Sequence, residues 1–173
     1  RHAGLIAAVA FQPVFILGDH RSGTTLLYQL LARTECFNVV QAYHLIRYDR
    51  VLEDHLAGRA DEARRQLAEQ FRQLGLTDRL LDGVAVSPEL PEEYGFRLAD
   101  EFRPKLTPAN LPRLVELCRK VQWVSPPGRP LLLKNPWDFA NFLYVKQAFP
   151  GARFIFLHRH PLQVINSQIR AAR

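Results

Sequence analysis

The sequence predicts an α/β fold, a parallel sheet flanked by helices with a mostly helical insertion. Three observations lead there. Residues 14–17, 131–133 and 154–157 are short continuous apolar runs, the pattern of strands covered on both faces. Each run is followed by a helical pattern, and strand–helix alternation builds parallel sheets. Gly18 and Gly23 bound the loop between the first run and its helix with the spacing G-x-x-x-x-G, a P-loop-like turn.

Taken in order, residues 3–11 are apolar. Gln12 and Pro13 stop this stretch well short of the roughly 20 residues that span a bilayer. It also lacks the early positive region and cleavage site of a signal peptide. The 173 residues include no methionine, even at position 1, so a fragment or processed chain is expected. After the first strand, residues 25–33 read as a helix with Leu26, Leu27, Leu30 and Leu31 as its stripe. Val39 and Val40 suggest a short second strand. Residues 45–56 are spaced as one helix stopped by Gly58. Asp61 is placed to cap the next, which runs through Ala63, Leu67, Phe71 and Leu74 to Gly75.

Residues 76–91 are less regular, 92–100 and 111–123 look helical, and 125–128 form a loop. A strand over 131–133 ends at Lys134. Asn135 as N-cap, Pro136 in the first turn and Asp138 three after the cap then predict a helix that stops at Pro150-Gly151. The third strand leads through His158-Arg159-His160-Pro161 into a last helix carrying Leu162, Val164, Ile165 and Ile169. The chain is read as one domain over 1–173, incomplete at both ends. Its segment 41–124 is the helical insertion.

Hydrophobic residues make up 47% and aromatic residues 10%, a globular composition. The net charge of +6 suits an anionic ligand. The basic residues are scattered, without the run expected of a nucleic-acid tail, so no nucleic-acid partner is expected. Arginine outnumbers lysine 19 to 4, favouring bidentate anion contacts. Cys36 and Cys118 lack metal-ligand or disulfide-framework spacing and read as small buried hydrophobes. They fix no compartment, and a cytoplasmic one is the default. Membrane association is not indicated.

In an open parallel sheet, ligands sit beyond the carboxyl ends of the strands. Three strand ends here carry basic or anion-seeking groups: the loop from Gly18 to Thr25 with Arg21, then Lys134, then Arg159. Backbone N–H groups at a loop and helix N-terminus hold a phosphate-like anion. The lysine that an ATP site needs after Gly23 is Thr24, so Arg21 supplies the charge.

The loop Gly-Asp-His-Arg-Ser-Gly-Thr-Thr-Leu-Leu resembles the 5′-phosphosulfate loop of sulfotransferases. Residues 159–167 resemble their 3′-phosphate motif: Arg159, Pro161 two later, and Ser167 eight after the arginine. Residues 132–142 and 148–159 are similar to bacterial and tyrosylprotein-type members, and the piece Ser-Pro-Glu-Leu-Pro-Glu-Glu-Tyr-Gly-Phe resembles members of the bacterial group. The resemblance implies 3′-phosphoadenosine 5′-phosphosulfate (PAPS) as donor and no metal. It places Arg21, Ser22, Gly23, Thr24 and Thr25 around the 5′-phosphosulfate, and Arg159 and Ser167 around the 3′-phosphate.

Sulfuryl transfer is an in-line displacement helped by positioning and charge stabilisation. Lys134, with Arg21, is the candidate for stabilising the leaving oxygen. For the base, His44 ranks first, then Glu92 or Glu93, then Asp138, which also reads as a helix-capping residue. An ungapped count puts Gln41, rather than His44, where tyrosylprotein-type relatives carry a glutamate. The expected acceptor is a small-molecule, lipid, sugar or peptide hydroxyl, or an amine. Alternatives are a P-loop kinase or NTPase, or a truncated donor-binding domain without turnover.

Overall fold

The computed structural model describes residues 3–79, 84–98 and 104–171. A four-stranded parallel sheet forms its centre. The strands are β1 (Pro13–Leu17), β2 (Asn38–Val39), β5 (Leu131–Lys134) and β6 (Arg153–Phe156), arranged β2-β5-β1-β6. Between β2 and β5, the short strands β3 (Asp78–Arg79) and β4 (Val84–Ala85) pair antiparallel. The helices are α1 (Ala3–Ile6), α2 (Thr24–Arg33), α3 (Ala42–Ile46), α4 (Val51–Leu56), α5 (Ala60–Gln73), α6 (Gly95–Leu98), α7 (Leu111–Val124), α8 (Phe142–Ala148) and α9 (Pro161–Ala171).

The two central strands are buried along their whole length, as continuous apolar runs require. Their alternate side chains serve two layers. Phe15, Leu17, Leu131 and Leu133 pack with Tyr94 and Leu98 of the α6 region, Leu114, Leu117 and Val121 of α7, and Val145 of α8. Val14, Ile16 and Leu132 point the other way, onto Tyr28, Leu27 and Leu31 of α2. A smaller cluster joins Tyr43, Val51 and Leu52 to Ala63, Leu67 and Phe71, seating α3, α4 and α5 together.

Several local expectations are corrected. The stretch 45–56 is two helices, α3 and α4, separated by a turn, instead of one. Helix α5 begins with Arg59 at its cap, so Asp61 lies in the first turn. Leu26 and Leu30 of α2 face outward, and the inward anchor is Tyr28. Its hydroxyl donates to the Leu132 carbonyl at 3.2 Å and accepts the Val40 N–H at 3.2 Å, tying α2 to the sheet.

Of the predicted helix over 92–100, only α6 is helical among the described residues; 99–100 lie outside them. After Asn135 the chain first makes a 3-10 turn, Pro136–Asn141, without the expected side-chain cap. Strand β6 is an edge strand with Phe156 exposed. Cys118 is buried as expected, whereas Cys36 is exposed. Among the described residues, no helix is long and apolar enough to cross a membrane.

Candidate active site

Parallel pairing aligns the carboxyl ends of β1, β5 and β6 along one edge of the sheet. At the end of β1 the chain turns through Gly18–Gly23. The Ser22 N–H donates to the Asp19 carbonyl at 3.1 Å, and the His20 N–H to Asp19 Oδ1 at 2.7 Å. Arg21 and Gly23 both take left-handed backbone conformations, φ 69° and 101°. For arginine that conformation is unfavourable, and such strain concentrates at functional loops. Gly18 is fixed by space. A Cβ there would meet the Leu157 carbonyl oxygen, Ser22 Oγ and Thr24 Cγ2, each at 2.8 Å.

The loop then opens α2, whose first N–H groups have no intrahelical acceptor and so present an anion-binding end. Arg21 Nε donates to Ser167 Oγ at 3.1 Å, and Arg159 Nη1 donates to the Arg21 carbonyl at 3.2 Å. Arg159 Nε is held by Gln163 Oε1 at 3.1 Å. The two sequence motifs are therefore in direct contact.

Lys134 ends β5 opposite Ile16, on the α2 side of the sheet. Its buried Nζ donates to Thr25 Oγ1 at 3.0 Å and pairs with Glu93 Oε1. Arg21, Gly23, Thr24, Thr25, Lys134, Glu93, Arg159 and Ser167 all line one cleft of about 630 Å³. Ser22 turns away from it. Buried, with its Oγ unpartnered, it lines a neighbouring cavity of about 250 Å³ behind the loop.

The structure does not bring the other candidate bases to that cleft. His44, ranked first, is buried in α3, and its Nδ1 accepts the Gln41 N–H at 3.1 Å. Burial, with Arg64 nearby, lowers its pKa to about 3, so the ring is neutral. It caps a helix start. Asp138 is fully buried and accepts from the Tyr94 hydroxyl at 2.8 Å, the Leu106 N–H at 2.9 Å, and the Asn135 and Asn141 side-chain amides at 2.7 and 2.8 Å. That network ties the 3-10 turn to the neighbouring segments and consumes the carboxylate. Glu92 sits behind Glu93. It accepts the Glu93 N–H at 3.3 Å and pairs with Arg79 at 3.4 Å, while burial pushes its pKa up.

Sequence reasoning passed over several lining residues. Arg79 and Val84 reach the cleft on the β3–β4 pair, inside a stretch without helical or strand periodicity. Phe96 and Trp137 line it too, and the Trp137 ring meets His20 edge-on at 4.7 Å. Trp137 and Phe96 stand three residues after Lys134 and Glu93, and that spacing was the available signal. No group of three or more potential metal ligands occurs among the described residues.

A parallel sheet whose first strand enters a glycine-bounded loop and then a helix defines a P-loop-like α/β class, here with a second basic motif against the loop. The sequence matches the model of the sulfotransferase family over residues 13–173, and the chain belongs to that family. Its structure is similar to that of the sulfotransferase STF9 from Mycobacterium avium, with a TM-score of 0.71 and 17% sequence identity. That similarity covers 98% of this chain and 48% of the mycobacterial one, so this chain spans about half the length of that protein. At this identity the likeness is one of fold. A comparison with curated proteins finds no match.

Proposed function

We propose that the cleft binds PAPS and that the protein moves its sulfuryl group to an acceptor hydroxyl. The observation that carries this reading is the contact between Arg21 and Ser167, which makes one anion-binding site of two distant motifs. The residues fit such a donor. Arg21, Thr25 and the open N-terminus of α2 would face a 5′-phosphosulfate, while Arg159 and Ser167 would offer a guanidinium charge and a hydroxyl to a 3′-phosphate. Thr24, at the position of the NTPase lysine, is buried against Gly18, which argues against an ATP site.

The donor supplies a sulfuryl group attached to a phosphate leaving group. Glu93 takes the proton of the acceptor hydroxyl as its oxygen bonds to sulfur. The bridging S–O bond breaks, and the electron pair leaves on the phosphate oxygen of 3′,5′-diphosphoadenosine. Lys134 and Arg21 stabilise the charge that grows on that oxygen, the kind of preorganised contact that commonly supplies a factor of about 10²–10³. Thr25 orients the Lys134 ammonium, and the ion pair with Glu93 keeps acid and base within one contact.

Transfer of labelled sulfate from PAPS to an alcohol acceptor tests this reading. Transfer that falls about 10²–10³-fold in Lys134→Ala supports it. Transfer of the γ-phosphate of ATP, with none from PAPS, contradicts it.

A further inference from the structure

We propose that the acceptor is a neutral aromatic alcohol, held on an apolar wall that this cleft builds beside the Lys134–Glu93 pair; the proposal rests on the donor reading above. Three polar members of the reacting cluster are each followed, within three residues, by a large apolar side chain that lines the same cleft. Glu93 is followed by Phe96, Lys134 by Trp137 and Thr25 by Leu26. All three are solvent-exposed, at 59%, 47% and 62%.

Large apolar groups exposed in a concave site beside convergent polar groups mark a surface that a ligand covers. Their placement is fixed locally. The Phe96 N–H donates to the Glu93 carbonyl at 3.3 Å, so the ring and the carboxylate share one turn. Trp137 is set by the 3-10 turn after β5 and by its edge contact with His20. Two aromatic rings and a leucine favour a flat apolar body over a polyhydroxylated one, which would leave its hydroxyls without partners against them. Arg79, the cation that β3 brings to the cleft, is engaged by Glu92 at 3.4 Å, which fits an uncharged acceptor.

Calorimetry on the protein saturated with 3′,5′-diphosphoadenosine tests this, with 2-naphthol and methyl glucoside as probes. The expected result is saturable 2-naphthol binding, weakened about tenfold in Phe96→Ala and in Leu26→Ala, with nucleotide affinity unchanged in both. Retained nucleotide binding shows that the variants are folded. The proposal is overturned if methyl glucoside binds as tightly as 2-naphthol, or if neither substitution affects 2-naphthol while the nucleotide still binds. Failure of the nucleotide itself to bind is a separate outcome, and it overturns the donor reading on which the proposal rests.

Discussion

Arg21 Nε donates a hydrogen bond to Ser167 Oγ at 3.1 Å, joining two residues 146 positions apart. Neither partner alone defines a nucleotide site. Together, with Arg159 bonded to the carbonyl of Arg21, they join a loop and a distant helix into one basic surface. Ser167→Ala is expected to weaken 3′,5′-diphosphoadenosine about 10- to 150-fold, since a hydrogen bond to a charged group contributes about 1.5–3 kcal/mol. The loss should be smaller for adenosine 5′-phosphosulfate, which lacks the 3′-phosphate and would feel only the freed Arg21 side chain. Equilibrium titration of both nucleotides against both proteins checks this.

Glu93 and His44 make opposite predictions about the base. Glu93→Gln should lower the rate of sulfate transfer about 10²–10⁴-fold, the range for a lost general base. His44→Asn should leave transfer at neutral pH largely intact, because His44 is buried away from the cleft and occupied in capping α3. Steady-state rates of the two variants, compared at equal folded fraction, decide between them.

His44 instead affects stability. Its folded pKa of about 3 lies below the ordinary value of 6.5, so between these values the unfolded chain binds a proton that the folded chain refuses. The stability is fully present above about pH 6.5 and declines as the pH falls, by at most about 1.4 kcal/mol per pH unit. Urea unfolding at pH 7, 6 and 5 should show this decline, and His44→Asn should flatten it.

Gly18 has no room for a methyl group, since two of the three atoms it would meet belong to the loop and the third is the backbone oxygen of Leu157. Gly18→Ala is expected to destabilise the fold by about 1–3 kcal/mol through overpacking and to weaken nucleotide binding. Thermal unfolding with and without 3′,5′-diphosphoadenosine measures both effects.

Much of the donor side was legible in the sequence because its signals are local. Apolar runs mark β1 and β5, the glycines mark the loop, Lys134 closes β5 and Arg159 comes three residues after β6. What was illegible depends on long-range packing. Nothing near Asp138 foretells that Tyr94 and Leu106 supply half its donors. The outward turn of Leu26 and Leu30 follows from Tyr28 anchoring α2 to Leu132 and Val40, which a helical stripe does not encode. Phe156 is exposed because β6 is outermost, and strand order is not written in an apolar run. Arg79 reaches the cleft only through the β3–β4 pairing.

The cleft is proposed as a site for a 3′-phosphorylated adenosine donor. Calorimetric titration of the protein with 3′,5′-diphosphoadenosine and, separately, with ATP and magnesium tests it most directly. The expected result is tight binding of 3′,5′-diphosphoadenosine that weakens at least about tenfold in Arg159→Ala, and little or no binding of ATP. Tight binding of ATP with magnesium, and none of 3′,5′-diphosphoadenosine, would contradict it.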